Sequence, residues 1–154
     1  MSPSLSTIHQ RISGRLHAAL FNLLEGKACE VFHAPFDVEL SKKGVEDKKV
    51  VIPDLSVICD KEGLGSNKYT GAPTIIIEII SPSNQSHDLV TKLNLYMEYS
   101  VKEYWIVNPL LNTVQLYLLD EEGTYQQKDV ARYQGTVKSK VLAGFEVDIE
   151  KLFV

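Results

Sequence analysis

The stretch TIIIEIIS, residues 74–81, contains the longest apolar run in the chain, and a single charge, Glu78, sits inside it. A strand with apolar residues on both faces is covered on both sides, as strands in the middle of an α/β sheet are. An ionised carboxylate in such a strand costs several kcal/mol unless it is paired or holds a cation. Two roles for Glu78 follow. It ends the strand in an ion pair with a helix lysine, or its charge is used.

A second charge breaks the pattern in VVIPDLSVICD, residues 50–60. Pro53 removes a ladder donor, which suits an edge or a bulge and re-aims the next side chain. Asp54 then shares a strand face with Ile52, Ser56 and Ile58; a bland role for it is to accept backbone hydrogen bonds at the bulge. Two strands that each donate one half-buried carboxylate can also make a site for a hard cation such as magnesium, with waters and substrate phosphate as its remaining ligands.

A basic group follows. SPSNQS breaks the strand, and a helix is expected from about Gln85 to Tyr99, with Leu89, Leu93, Tyr96 and Met97 as its apolar face. Asp88, Lys92 and Tyr96 lie at i, i+4 and i+8, and Lys92 borders the apolar stripe. It can reach over the sheet, or simply snorkel to solvent with Asp88 as partner. Asp, Glu and Lys on adjacent elements are the set that metal-dependent phosphodiester hydrolysis needs: carboxylates for the metal, a lysine to orient water or balance charge.

The rest of the chain supplies a frame. Ile8, Ile12, Leu16, Leu20 and Leu23 recur at helical spacing over residues 6–26, with Ser6 to cap and Gly26 to close. His9, Ser13 and His17 share a neighbouring face of that helix. Strands are expected over Cys29–Leu40 and Val50–Asp60, joined by the solvated loop SKKGVEDKK, with a turn-rich segment at residues 61–72. Four more strands are expected over Glu103–Asn108, Val114–Leu119, Tyr125–Ala131 and Lys138–Val141. The tail docks Phe145, Ile149, Leu152 and Phe153 on the core. This order of helices and strands makes an α/β domain with a mixed sheet.

With 154 residues, 44% of them hydrophobic and 23% charged, the chain is one domain with a real core and not a disordered or low-complexity segment. No apolar run is long enough to span a membrane, and the N-terminus has no apolar leader, which points to a soluble, cytoplasmic domain. A net charge of −4 argues against coating nucleic acid through a broad basic face. Cys29 and Cys59 lack CxxC spacing and are expected to be reduced, partly buried thiols. No Gly-rich phosphate loop, nucleophile elbow, helix-turn-helix pair or zinc finger is present.

The segments IPDLSVICD, GAPTIIIEIISPS, DLVTKLNLYMEYSVKEYWIVNP and LAGFEVDIEKLF together resemble the Uma-type family of restriction-endonuclease-like proteins. That family is a large bacterial domain placed in the PD-(D/E)XK nuclease superfamily, and the likeness covers essentially the whole chain. It implies a restriction-endonuclease-like fold with a central mixed β-sheet flanked by helices. By the resemblance, Asp54 of the Pro53-Asp54 pair and Glu78 are metal ligands, and the backbone carbonyl of Ile79 completes the cage. The lysine expected two residues after Glu78 is Ile80 here, and Lys92 on the following helix is the matching position. Tyr96 matches the family tyrosine, as a catalytic group or as a wall of the site. Ser81 and Asp88 match as local caps or as supports of the metal ligands. His9 matches a family histidine that can approach the site from the position where these nucleases keep a helical acid, though a lone histidine at a helix start is more often structural. Family members usually carry an N-terminal segment before the stretch matching SPSLSTIHQ, and this chain begins at that stretch.

The expectation is thus a magnesium- or manganese-dependent endonuclease that hydrolyses DNA phosphodiester bonds as a homodimer, with EYWIVN and the outer strands as candidate interface. The alternative is a nuclease fold kept as a catalytically inactive binding or regulatory module.

Overall fold

The computed structural model of the chain describes residues 5–82 and 86–154. Ser6 caps the first helix, α1 (Thr7–Leu24), its hydroxyl accepting the His9 N–H at 3.2 Å and so satisfying one of the donors that a helix start leaves bare. Ile12, Leu16, Leu20 and Leu24 recur every four residues and are buried.

The main sheet has six strands, in the order β1 (Glu30–His33), β4 (Leu55–Ile58), β6 (Ile75–Ile79), β7 (Glu103–Asn108), β8 (Thr113–Leu119) and β9 (Tyr125–Arg132). Only β6 and β7 run parallel. They are joined by α2 (Ser86–Glu98), because two parallel neighbours need a crossover to bring the chain back to the same edge. The expected helix start at Gln85 lies outside the described residues. All five residues of β6 are buried, as expected of an apolar strand covered on both faces.

One face of this sheet packs against α1 and the C-terminal elements β10 (Thr136–Lys138), β11 (Glu146–Asp148) and α3 (Ile149–Leu152). Trp105, Phe145, Ile149 and Leu152 fill that layer, and Phe153 packs at its margin. The other face holds Ile58, Ile76, Ile80, Tyr104 and Ile106 against Tyr96 and Tyr99 of the α2 region. A smaller sheet in the order β3 (Val45–Val51), β2 (Asp37–Lys42), β5 (Lys68–Gly71) adds Val38, Leu40 and Tyr69 to the same layer.

Several local expectations are corrected. The single strand over Cys29–Leu40 is two strands in two sheets, divided at Ala34-Pro35, where proline brings no N–H to a ladder. The loop SKKGVEDKK is instead the end of β2, the turn and the larger part of β3 in the β2–β3 hairpin, with Gly44 at φ 91° in its bend. Edge strand β3 is exposed at Glu46, Asp47, Lys48, Lys49 and Val50, so it shows no apolar alternation to read. The turn-rich segment holds a 3-10 turn, Lys61–Gly63, and β5. Any Cβ at Gly63 would stand 1.8 Å from the Thr70 carbonyl oxygen, so only glycine lets these backbones meet.

Two further corrections concern chemistry. Cys29 and Cys59 are not free thiols; they form a disulfide. Glu30 pairs with Ile58 in the β1–β4 register, so the next pair outward is Cys29 with Cys59, with Cα atoms 4.1 Å apart. EYWIVN, offered above as an interface, is β7 in the interior of the sheet, hydrogen-bonded on both sides and buried from Glu103 to Val107. No helix among the described residues is long and apolar enough to cross a membrane.

Candidate active site

Strands β4 and β6 are antiparallel, with Leu55 opposite Ile77. Extended by one residue, that register sets Asp54 opposite Glu78; by two, Pro53 opposite Ile79. Proline has no N–H for the Ile79 carbonyl, and the Ile79 N–H is taken by the Asp54 carboxylate instead, at 2.7 Å to Oδ2. A residue in a strand points its N–H and C=O toward the same neighbour, so the Ile79 carbonyl opens on the Asp54 side. Asp54 is anchored twice more. Its backbone oxygen accepts the Ala34 N–H at 3.0 Å, and its Oδ1 lies 3.2 Å from Nε2 of His9 in the first turn of α1.

Glu78 is 6% exposed. Its Oε2 accepts from Lys92 Nζ at 3.2 Å and its Oε1 from the Tyr96 hydroxyl at 3.0 Å. Lys92 and Tyr96 stand one helical turn apart on α2, which lays both over the end of β6. Burial pushes the Glu78 carboxyl up to about 7; the Lys92 ammonium pulls against that shift, and the Asp54 charge adds to it. Burial and the Glu78 carboxylate hold the Tyr96 hydroxyl far above the ordinary phenol range, so Tyr96 is a lasting donor.

The other expected residues lie on the elements that flank this pair. Ser81 follows β6 and, with Ser6, His9, Pro82, Pro109 and Leu110, lines a cavity of about 130 Å³. Asp88 is half-buried one turn before Lys92. Larger surface hollows lie elsewhere, such as one of about 420 Å³ between α1 and the β11–α3 corner, and they share none of these charged groups.

One residue escaped the sequence reading. Tyr104 is fully buried on the Glu78 face of β7, with its ring edge-on to Tyr96 and its hydroxyl without a partner among the described residues. Burial first, then the Glu78 charge, keep it protonated. The EYW string carries it, but only the parallel pairing of Ile76 with Tyr104 sets it beside Glu78.

The donor set fits a hard divalent cation. Two carboxylates of like charge meet at neighbouring strand ends, and the repulsion between them contributes to the Glu78 shift. Among the described residues no three His, Cys, Asp or Glu side chains form a ready cation cage. A cation here would rest on Asp54, Glu78, the Ile79 carbonyl and water, an all-oxygen set of the kind magnesium takes.

The model of the Uma2 family, described as "Putative restriction endonuclease", matches residues 1–150. The chain belongs to the Uma2 family. A relative, uncharacterized protein slr1290 of Synechocystis sp. (strain ATCC 27184 / PCC 6803 / Kazusa), is 26% identical over 145 residues, which is 92% of this Uma2 chain and 73% of the relative. The crystal structure of a putative nuclease belonging to DUF820 from Anabaena variabilis ATCC 29413 superimposes with a TM-score of 0.75 at 16% identity. That match covers 99% of this chain and 84% of the other. The Uma2 chain therefore shares its fold with that protein, and the restriction-endonuclease-like architecture read from the sequence is the one observed.

Proposed function

We propose that this Uma2 domain is a metal-dependent endonuclease that hydrolyses DNA phosphodiester bonds at the β4–β6 strand ends. The observation that carries the reading is the meeting of Asp54 and Glu78, two carboxylates from apolar strands, under the Lys92 ammonium. Asp54 and Glu78 would hold magnesium or manganese with the Ile79 carbonyl. When bound, such an ion supplies a Lewis acid for a phosphate oxygen and lowers the pKa of a water. Lys92 donates to Glu78 from above the pair, and it would orient the attacking water or balance charge as the P–O bond to the leaving oxygen breaks. Tyr96 fixes the Glu78 carboxylate, and Asp88 and Ser81 would support the rim. Cutting both strands of a duplex calls for two such sites, so the active form is a homodimer. Buried β7 cannot be its contact surface, which leaves the edges and loops.

The test is cleavage of plasmid DNA with magnesium, with manganese or with chelator, by wild type, Asp54→Ala and Glu78→Gln. Metal-dependent nicking or linearisation by wild type alone is the expected result. A second reading, an inactive binding or regulatory module, is favoured by the fact that both Glu78 oxygens are already engaged by Lys92 and Tyr96. It is the right one if the wild type binds DNA yet leaves it intact with either metal.

A further inference from the structure

We propose that His9 is a positioning residue for the cation site, holding the Asp54 carboxylate in its ligating orientation through Nε2 alone. The inference rests on the cation reading above and deepens it. His9 is 4% exposed, in the first turn of α1. Its backbone N–H is already satisfied by Ser6, so its side chain has no capping duty. Nε2 lies 3.2 Å from Asp54 Oδ1 and must carry the proton to donate to a carboxylate. Nδ1 is buried and has no partner among the described residues. An unsatisfied buried nitrogen is costly, and an apolar side chain would avoid it. What the imidazole contributes is therefore its other nitrogen.

The geometry of Asp54 explains the use. His9 takes Oδ1 and the Ile79 N–H takes Oδ2, one donor from a helix and one from a strand. Together they fix the carboxylate plane before any ligand arrives. Each oxygen keeps a second lone pair for a cation. Groups that orient a metal ligand in this way commonly change metal affinity by about 10–100-fold when removed.

The sealed Nδ1 makes the inference specific. Glutamine places an N–H₂ at the reach of Nε2 and lacks any counterpart of Nδ1, so it is expected to replace His9. Manganese binding is measured by titration calorimetry on wild type, Asp54→Ala, His9→Gln and His9→Leu, with metal-free thermal unfolding of each alongside. The expected result is a loss of about 10-fold or more in manganese affinity for His9→Leu, with His9→Gln close to wild type. If His9→Leu does not fold, His9→Phe supplies the donor-free comparison. Wild-type affinity in the donor-free variant would overturn the proposal, as would a His9→Gln as weak as His9→Leu. Manganese binding absent from wild type and Asp54→Ala alike would instead bring down the cation reading itself, and the role of His9 with it.

Discussion

Lys92 donates to Glu78 across fourteen residues of chain, at 3.2 Å. The strand position two residues past Glu78 is Ile80, which points into the tyrosine-rich layer under α2. The positive charge that the strand lacks thus arrives from the helix above it, and the buried carboxylate and its cation belong to different elements. Several consequences are measurable.

The Glu78 carboxyl is raised in the folded state from an ordinary value of 4.5 to about 7, chiefly by burial. The folded chain then binds a proton that the unfolded chain has released, so stability falls as pH rises from about 4.5 to about 7 and levels off above. The full cost is on the order of 3 kcal/mol. In chelator, Glu78→Gln is expected to gain roughly 6–12 °C in Tm over wild type between pH 5 and pH 8. A difference that stays constant over that range would show that Glu78 is not the titrating group.

Among the described residues, removing Lys92 leaves the Glu78 charge in its apolar strand with Tyr96 as its one hydrogen-bond partner. Lys92→Met is expected to lower stability at pH 8 by on the order of 1 kcal/mol; its side chain is 39% exposed, which keeps the loss below that of a fully buried pair. In a Glu78→Gln background the same change should cost nothing. A double-mutant cycle by urea denaturation gives the coupling, and a value of zero would mean that the contact carries no energy.

Glu103 is a buried carboxylate with a structural task. It is fully buried and accepts from Trp105 Nε1 at 3.0 Å, Ser139 Oγ at 2.8 Å and the Lys140 N–H, tying the turn after β10 to the first residue of β7. Glu103→Leu strands those donors and is expected to cost about 3–5 kcal/mol. Trp105 is the single tryptophan, so its fluorescence follows the unfolding directly. Wild-type stability in this variant would contradict the assignment.

The Cys29–Cys59 disulfide closes a loop with a sequence separation of 30. The chain-entropy relation gives about 3–4 kcal/mol for such a closure. Wild type should lose that much on reduction, while Cys29→Ser/Cys59→Ser should be indifferent to reductant. Two titratable thiols in the untreated, folded protein would return the cysteines to the reduced state expected from their spacing.

Asp54 and Glu78 were legible because each contradicts its surroundings: a carboxylate in an apolar strand needs a reason that a surface carboxylate does not. Lys92 and Tyr96 were legible from the i, i+4 geometry of a helix. The β3–β2–β5 sheet was not, since β3 is an exposed edge with four charges in seven residues and resembles a solvated loop. Tyr104 was hidden for a different reason. Its alternation marks a strand, but its neighbour across the ladder is set by a helix-long crossover.

What the sequence determined by itself was the local grammar: the helix faces, the central strand, the odd charges and, through the joint pattern, the family. What tertiary structure alone decided was which of these meet. The Asp54 contact with Ile79 spans 25 residues, and the His9 contact with Asp54 joins α1 to the residue before β4. The Cys29–Cys59 bond follows from the β1–β4 register. Side-chain periodicity is written every two or 3.6 residues, whereas strand register and helix crossing depend on packing the whole core at once.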